Sequence, residues 1–317
     1  MIPTRHCIAF IILTIIGTAT FPLFSLQSRQ NHAQGIQLPV SICFSKGTGI
    51  FVWQPGQIQP LRWMSAKDIT FPSIAPSGQA IAYTHSIESK IQKSGSRYIE
   101  IQDGPSSAPR RIYGTPEHHC YHPVWSPNGE LIMFNKLDDT RWGISIIDKA
   151  GSDYWDIIFP KNAHDDIWVG CWANDSKSLF ALDFKNIYQI GIKGAVIQTI
   201  SFKDLSLDIR SSDSTCSLSP DGNNLLLAIS VELPDMDRFE FPVDVVYLLN
   251  LKTRKTTRLS PKGVLASSPI WLPDGKSFVF HGEGGIKSGI YRMDISSNQV
   301  KQIIAGASDP SLSLHSQ

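Results

Sequence analysis

The densest set of side chains able to do chemistry is Glu117-His118-His119-Cys120-Tyr121-His122. Imidazole and thiolate are good ligands for zinc or copper, so the run first raises a metal site. Its spacing fits no compact site, and along an extended strand His118, His119 and His122 do not all face one way. Completing such a site would take another segment, such as His164-Asp165-Asp166 or His281. His281-Gly282-Glu283-Gly284-Gly285 has the glycine density of a phosphate loop but lacks the lysine and the following helix. Ser211-Ser212-Asp213-Ser214 reads equally well as a source of a nucleophile and as an ordinary connection. No Gly-x-Ser-x-Gly elbow occurs. The expectation is therefore polar lining with no cofactor and no bound metal.

The elements that position these residues are marked by a recurring turn. Ser219-Pro220-Asp221-Gly222 has a near-copy at Ser126-Pro127-Asn128-Gly129. Looser copies are Ala75-Pro76-Ser77-Gly78, Leu272-Pro273-Asp274-Gly275 and Ala173-Asn174-Asp175-Ser176. The last turn position falls at 78, 129, 176, 222 and 275, in steps of 51, 47, 46 and 53 residues. Each turn is followed by a short apolar run such as Leu131-Ile132-Met133-Phe134 or Leu225-Leu226-Leu227-Ala228. Clusters of short strands at this period predict a β-propeller.

Each repeat reads as four strands, a to d. The c strand and its turn recur six times, starting at Gly49-Ile50-Phe51-Val52-Trp53, whereas complete a–b hairpins number five. The missing a strand lies at the other end, where Asp309-Pro310-Ser311-Leu312-Ser313 mimics Ser268-Pro269-Ile270-Trp271-Leu272. The expected fold is all-β: a six-bladed propeller of four-stranded antiparallel blades, the first closed by the C-terminal strand. Closure of this kind removes exposed sheet edges. Trp125, Trp172 and Trp271, two residues before the a–b turn, are expected to pack between blades. Trp63, Trp142, Trp155 and Trp168 are less regular, and an exposed subset would form a sugar or peptide platform.

Composition narrows the partners. Lys and Arg total 29 against 28 Asp and Glu, so the basic excess of a nucleic-acid binder is missing. Residues 1–34 read as a signal peptide or membrane anchor plus a short linker, because an uncharged run extends from Cys7 through Leu26. Residues 35–317 are then the propeller. Export makes Cys43, Cys120, Cys171 and Cys216 candidates for disulfides between blades, or four small buried hydrophobes.

Strand topology places the d–a connections and b–c loops on one rim, opposite the a–b turns. The d–a segments carry Asp68, His119, His122, Asp165, Asp166 and Asp213, and the b-strand ends and b–c loops carry His85, His281 and Glu283. The insertion Leu233–Pro242 lengthens the b–c loop of blade five with Asp235, Asp237 and Glu240. The loop from His85 to Arg97 is basic, through Lys90, Lys93 and Arg97. Opposed charges at one mouth suit a protein or peptide partner.

The pattern Pro123-Val124-Trp125-Ser126-Pro127-Asn128-Gly129, with a c strand like Gly289-Ile290-Tyr291-Arg292-Met293-Asp294, resembles the WD40-like repeats of TolB-type propellers. The likeness covers about residues 38–314. The Gly-His and Trp-Asp signatures of true WD40 repeats are missing. The resemblance implies an exported, periplasmic or secreted binding scaffold; the same propeller also caps some serine peptidases. The rival functions are a metal-assisted lyase, lactonase or cyclase, and a carbohydrate-binding propeller.

Overall fold

The computed structural model of the chain describes residues 38–65, 67–87, 96–115, 119–138, 140–162, 165–209, 215–231 and 243–313. The apolar leader, the Leu233–Pro242 insertion with Asp235, Asp237 and Glu240, and Ser211–Ser214 with Asp213 lie outside the described residues. So do Lys90, Lys93, Glu117, His118 and His164. Among the described residues no helix is long and apolar enough to cross a membrane.

The described strands form six four-stranded antiparallel sheets. β1 (Ile42–Lys46), β2 (Gly49–Trp53) and β3 (Leu61–Ser65) are the outer three strands of blade one. Blade two is β4 (Ile69–Ile74), β5 (Ile81–Ile87), β6 (Ser96–Gln102) and β7 (Arg110–Tyr113). Blade three is β8 (Cys120–Trp125), β9 (Leu131–Asp138), β10 (Arg141–Asp148) and β11 (Tyr154–Ile158). Blade four is β12 (Trp168–Trp172), β13 (Ser178–Leu182), β14 (Asn186–Gly191) and β15 (Val196–Ser201). Blade five is β16 (Thr215–Leu218), β17 (Asn224–Val231), β18 (Val243–Asn250) and β19 (Thr256–Arg258). Blade six is β20 (Val264–Trp271), β21 (Ser277–Gly284), β22 (Gly289–Asp294) and β23 (Val300–Ala305). β24 (Ser308–Leu312) then pairs with β1, matching Ile42 with Leu312 and Cys43 with Ser311. Ser313 extends the seal: its amide donates to the Ser41 carbonyl at 3.0 Å, and its Oγ accepts the Ser41 amide at 3.1 Å. The composite first blade is as the repeat count implied.

The recurring turn works through its side chains. Gly222 holds φ +73°, its amide donates to the Ser219 carbonyl at 2.8 Å, and the Ser219 hydroxyl donates to Asp221 at 2.5 Å. Ser126 makes the same bond to Asn128 at 2.7 Å. These are the positive-φ and Asx-type demands that select Gly and Asp or Asn.

Packing explains why the b strands are continuous apolar runs. Each blade is covered on both faces, so alternate residues of one strand serve different cores. Ile132 and Phe134 of β9 pack with Ala75, Ala82 and Ile99 of blade two, whereas Met133 packs with Val169 and Leu179 of blade four. Six apolar clusters result, each straddling one seam between neighbouring blades. The repeated Trp residues sit in these seams, with Trp125, Trp172 and Trp271 all buried. The Trp172 indole donates to the Val124 carbonyl of blade three at 2.9 Å.

Candidate functional site

The innermost strand of each blade runs from the d–a connection to the a–b turn and forms the channel wall. In blades one, two, three and six a proline interrupts it: Pro310, Pro72, Pro123 and Pro269. Proline has no N–H for the neighbouring strand and disfavours a right-handed helical conformation in the residue before it. In all four blades that preceding residue is left-handed: Asp309 at φ 50°, Phe71 at 52°, His122 at 59° and Ser268 at 50°. The ladders shift register there, between Thr70 and Ser73, Tyr121 and Val124, and Ser267 and Ile270. In blade one the same shift falls between Ser308 and Ser311, which pair with Ser45 and Cys43, so Asp309 and Pro310 stand opposite the single residue Phe44. Such bulges re-aim side chains, and a non-glycine residue held left-handed costs of order 1–3 kcal/mol.

The four bulges stand at the same level around one central cavity of about 190 Å³, lined by the inner strands of all six blades. Phe71, His122, Thr215, Ser268 and Asp309 line it on the side of the d–a connections. The His122 ring stacks on Phe71, with centroids 4.8 Å apart and planes inclined by 27°. The His122 amide donates to the Thr84 hydroxyl at 3.0 Å. Among the described residues Asp309 is the single carboxylate of the lining, and Ser308 donates a hydrogen bond to it at 2.9 Å. Its charge adds to the effect of burial in pushing the Cys43 thiol well above its ordinary pKa.

Serine hydroxyls stitch the wall. Ser311 accepts the Ile74 amide at 3.0 Å, Ser73 accepts the Trp125 amide at 3.3 Å, and Ser217 accepts the Trp271 amide at 3.1 Å. Each bond runs from one blade to the next, so the inner ring is held by directed polar contacts as well as apolar seams.

No protein-family model matches this sequence. No curated protein matches it either. Among solved structures it is similar to TolB from Acinetobacter baumannii, with a TM-score of 0.64 and 17% identity, over 88% of this chain and 67% of that one. The fold is that of a TolB-like propeller. A putative TolB from Agrobacterium tumefaciens gives a TM-score of 0.58 and 15% identity, over 85% of this chain and 90% of that one. A chain of a nidogen/laminin complex gives 0.59 and 10% identity, over 87% of this chain and 98% of that one.

Within this TolB-like propeller the polar residues singled out by sequence are dispersed. Of those within the described residues, His122 alone lines the channel cavity. Asp68 is exposed on the β3–β4 connection, itself left-handed at φ 62°, and its carbonyl accepts the Ser86 amide at 2.8 Å. His119 precedes β8, half-buried, with its carbonyl accepting the Leu137 amide at 2.9 Å. Asp165 accepts from Asn162 at 3.0 Å and lies 3.9 Å from the Lys185 ammonium. Asp166 accepts the Trp142 amide at 2.9 Å and so ties the start of blade four to β10. His281 and Glu283 line a separate groove with Lys46 and Ser308, between blades six and one. The His281 Nδ1 is 3.4 Å from the Ser267 hydroxyl.

His85 belongs to a cluster within blade two. Its Nδ1 is 3.0 Å from buried Glu100, which also accepts from Tyr83 at 3.3 Å and from Arg111 at 3.5 Å. The Arg111 guanidinium lies 3.5 Å above the Tyr98 ring. This arrangement satisfies a carboxylate that β6 buries against blade one. Among the described residues no three of His, Cys, Asp and Glu converge on a point where a metal ion would sit. None of the eight Trp is exposed, so there is no exposed subset to form a platform: Trp63 and Trp168 are buried, and Trp142 and Trp155 are half-buried.

Sequence reasoning missed Phe71, Thr215, Ser268 and Asp309 as cavity residues. A signal was present: Pro72, Pro123 and Pro269 each stand six residues before the turn glycine at 78, 129 and 275. The residue before that proline is the one aimed into the channel.

Proposed function

We propose that the chain is an exported binding scaffold that receives a segment of a protein or peptide partner at the channel mouth formed by the d–a and b–c connections. The ring Phe71, His122, Ser268 and Asp309 carries this reading. It gathers an aromatic face, an imidazole, a hydroxyl and one carboxylate around a preformed concavity. The cavity, about 190 Å³, is below the ~300–1,000 Å³ that encloses a whole small-molecule ligand. It suits the inserted side chain or tip of a larger partner, and Asp309 favours a segment that brings a hydrogen-bond donor or a positive charge. The nidogen/laminin relative, a propeller chain within a protein complex, supports a protein partner, and the apolar run Cys7–Leu26 supports export.

The test is capture by the full chain from native envelope or secreted material, comparing three forms. Asp309→Asn with His122→Asn keeps residues that tolerate a left-handed backbone while removing the charge and the imidazole. Lys276→Glu alters an exposed residue of the a–b rim. A polypeptide that co-purifies with the wild type and with Lys276→Glu, but falls at least tenfold with the double variant, supports the mouth. Equal recovery with all three refutes it. Replacing Asp235, Asp237 and Glu240 by alanine should weaken the same recovery if the inserted loop takes part.

A further inference from the structure

Blades four and five break the proline pattern on adjacent inner strands. Gly170 and Cys216 stand where the other blades have proline, and Cys171 follows Gly170. The Cys171 and Cys216 sulfurs lie 2.8 Å apart across the seam, closer than two unbonded sulfurs ordinarily approach. Both side chains are buried, and both line the channel cavity. Gly170 makes the approach possible, because a Cβ at that position would stand 2.7 Å from the Cys216 sulfur. Cys43 and Cys120 are also buried but belong to other seams: Cys43 faces blade two from blade one, and Cys120 faces blade two from blade three. The Cys120 thiol donates to the Arg97 carbonyl at 3.1 Å. Of the four cysteines among the described residues, one pair is brought together and the other two are kept apart.

We propose that Cys171 and Cys216 form a disulfide that staples blade four to blade five in the channel wall. The two thiols give up two protons and two electrons as the S–S bond forms. A small-molecule disulfide such as oxidised glutathione accepts them and leaves as two thiols, through a mixed disulfide on one cysteine. Burial holds the Cys216 thiol well above its ordinary pKa, so thiolate attack is slow once the wall is packed. The bond closes during folding, while the strands are still wet. It spans 45 residues of sequence (216 − 171), the whole blade-four repeat, so it limits the unfolded chain as well as the seam.

The full chain is refolded with and without a glutathione redox pair, alkylated under denaturing conditions, and mapped by mass spectrometry. The expected product is one linked peptide pair holding Cys171 and Cys216, with Cys43 and Cys120 alkylated in full. Full alkylation of Cys171 and Cys216 after oxidative refolding overturns the proposal, and so does a link to any other cysteine. As a second readout, the oxidised protein should melt on the order of 10 °C above the reduced one. Cys171→Ala should melt at one temperature in both conditions. A redox-dependent melt that persists in Cys171→Ala also overturns it.

Discussion

Replacing Leu312 by alanine tests the closure of the ring at a single side chain. Leu312 is 6% exposed on β24 and packs with Val40, Ile42 and Phe44 of blade one and Leu272, Val279 and Ile304 of blade six. It therefore joins the strand contributed by the chain end to both sides of the last seam. Truncating a buried leucine costs the transfer of the lost methyl and methylene groups plus the cavity left behind, about 3–5 kcal/mol in packed interiors. A terminal strand relaxes more readily than a central one, so the lower end, about 3 kcal/mol, is expected. At roughly 2–4 °C per kcal/mol for a domain of this size, the melting temperature should fall by about 6–12 °C. Leu61→Ala is the matched control, the same chemical change on β3 at the outer edge of the same blade, where the side chain is 48% exposed. It should shift stability by no more than about 0.5 kcal/mol. Thermal and urea melts of the two variants beside the wild type decide the matter. Equal melts for Leu312→Ala and Leu61→Ala would mean that β24 contributes nothing to closing the ring, and the composite blade would be refuted.

Gly170→Ala should lower stability by about 1–3 kcal/mol, because the new Cβ would meet the Phe180 carbonyl, Leu182 and the Cys216 sulfur, each at 2.7 Å. An unchanged melt would show that blades four and five are not packed as described. Acid should weaken the fold in a predictable window: the Ser297 amide, with the Ser296 and Ser297 hydroxyls, holds Asp294 at a pKa of about 2. A carboxylate whose pKa is depressed on folding stabilises above its unfolded value of about 3.9, and that contribution is lost as pH falls from there through about 2. Asp148, lowered by the Asp153 amide, and Asp221, lowered by the Ser219 hydroxyl, act in the same direction. Urea midpoints measured between pH 5 and pH 2 should fall less steeply for Asp294→Ala than for the wild type; parallel curves would contradict the assignment.

Much of the architecture was legible because the a–b turn imposes local demands that few residues meet. Gly78, Gly129, Gly222 and Gly275 are all left-handed, so their spacing counts blades directly. Ser176 takes the same conformation at φ 58° without being glycine, which is why its blade was the faintest copy. The tail strand was readable from Pro310 and its neighbours, since β24 must satisfy the same wall as β20. The channel ring was not readable in the same way. Local preference sends a residue before proline to extended backbone, and the left-handed turn at Phe71 or His122 is imposed by strands crowding a common axis. The dispersal of His85, His281 and Glu283 has a similar origin. Their order along the chain tells which rim they approach, but the groups beside them come from other strands, Glu100 of β6 at His85 and Ser267 of β20 at His281.

Blades four and five bear on whether the strained ring belongs to the fold or to a site. β16 pairs with β17 without a register shift, and no residue of β16 is left-handed. β12 carries its bulge on Gly170, also without a left-handed residue. Both blades nonetheless form complete four-stranded sheets in the same ring, with seams as well buried as the others. Closing a blade of this chain therefore does not require a left-handed residue before proline. The other four blades bear a cost of order 1–3 kcal/mol each for a conformation that two of their neighbours do without. What those four conformations share is their effect on the wall: they present Phe71, His122, Ser268 and Asp309 at one level of the cavity. Backbone strain that is dispensable for folding and concentrated at a cavity is what a preorganised binding site leaves in a structure. On that ground the channel mouth, and not the more conspicuous histidine run or the Pro-Asp-Gly turns, is where substitutions should separate binding from stability.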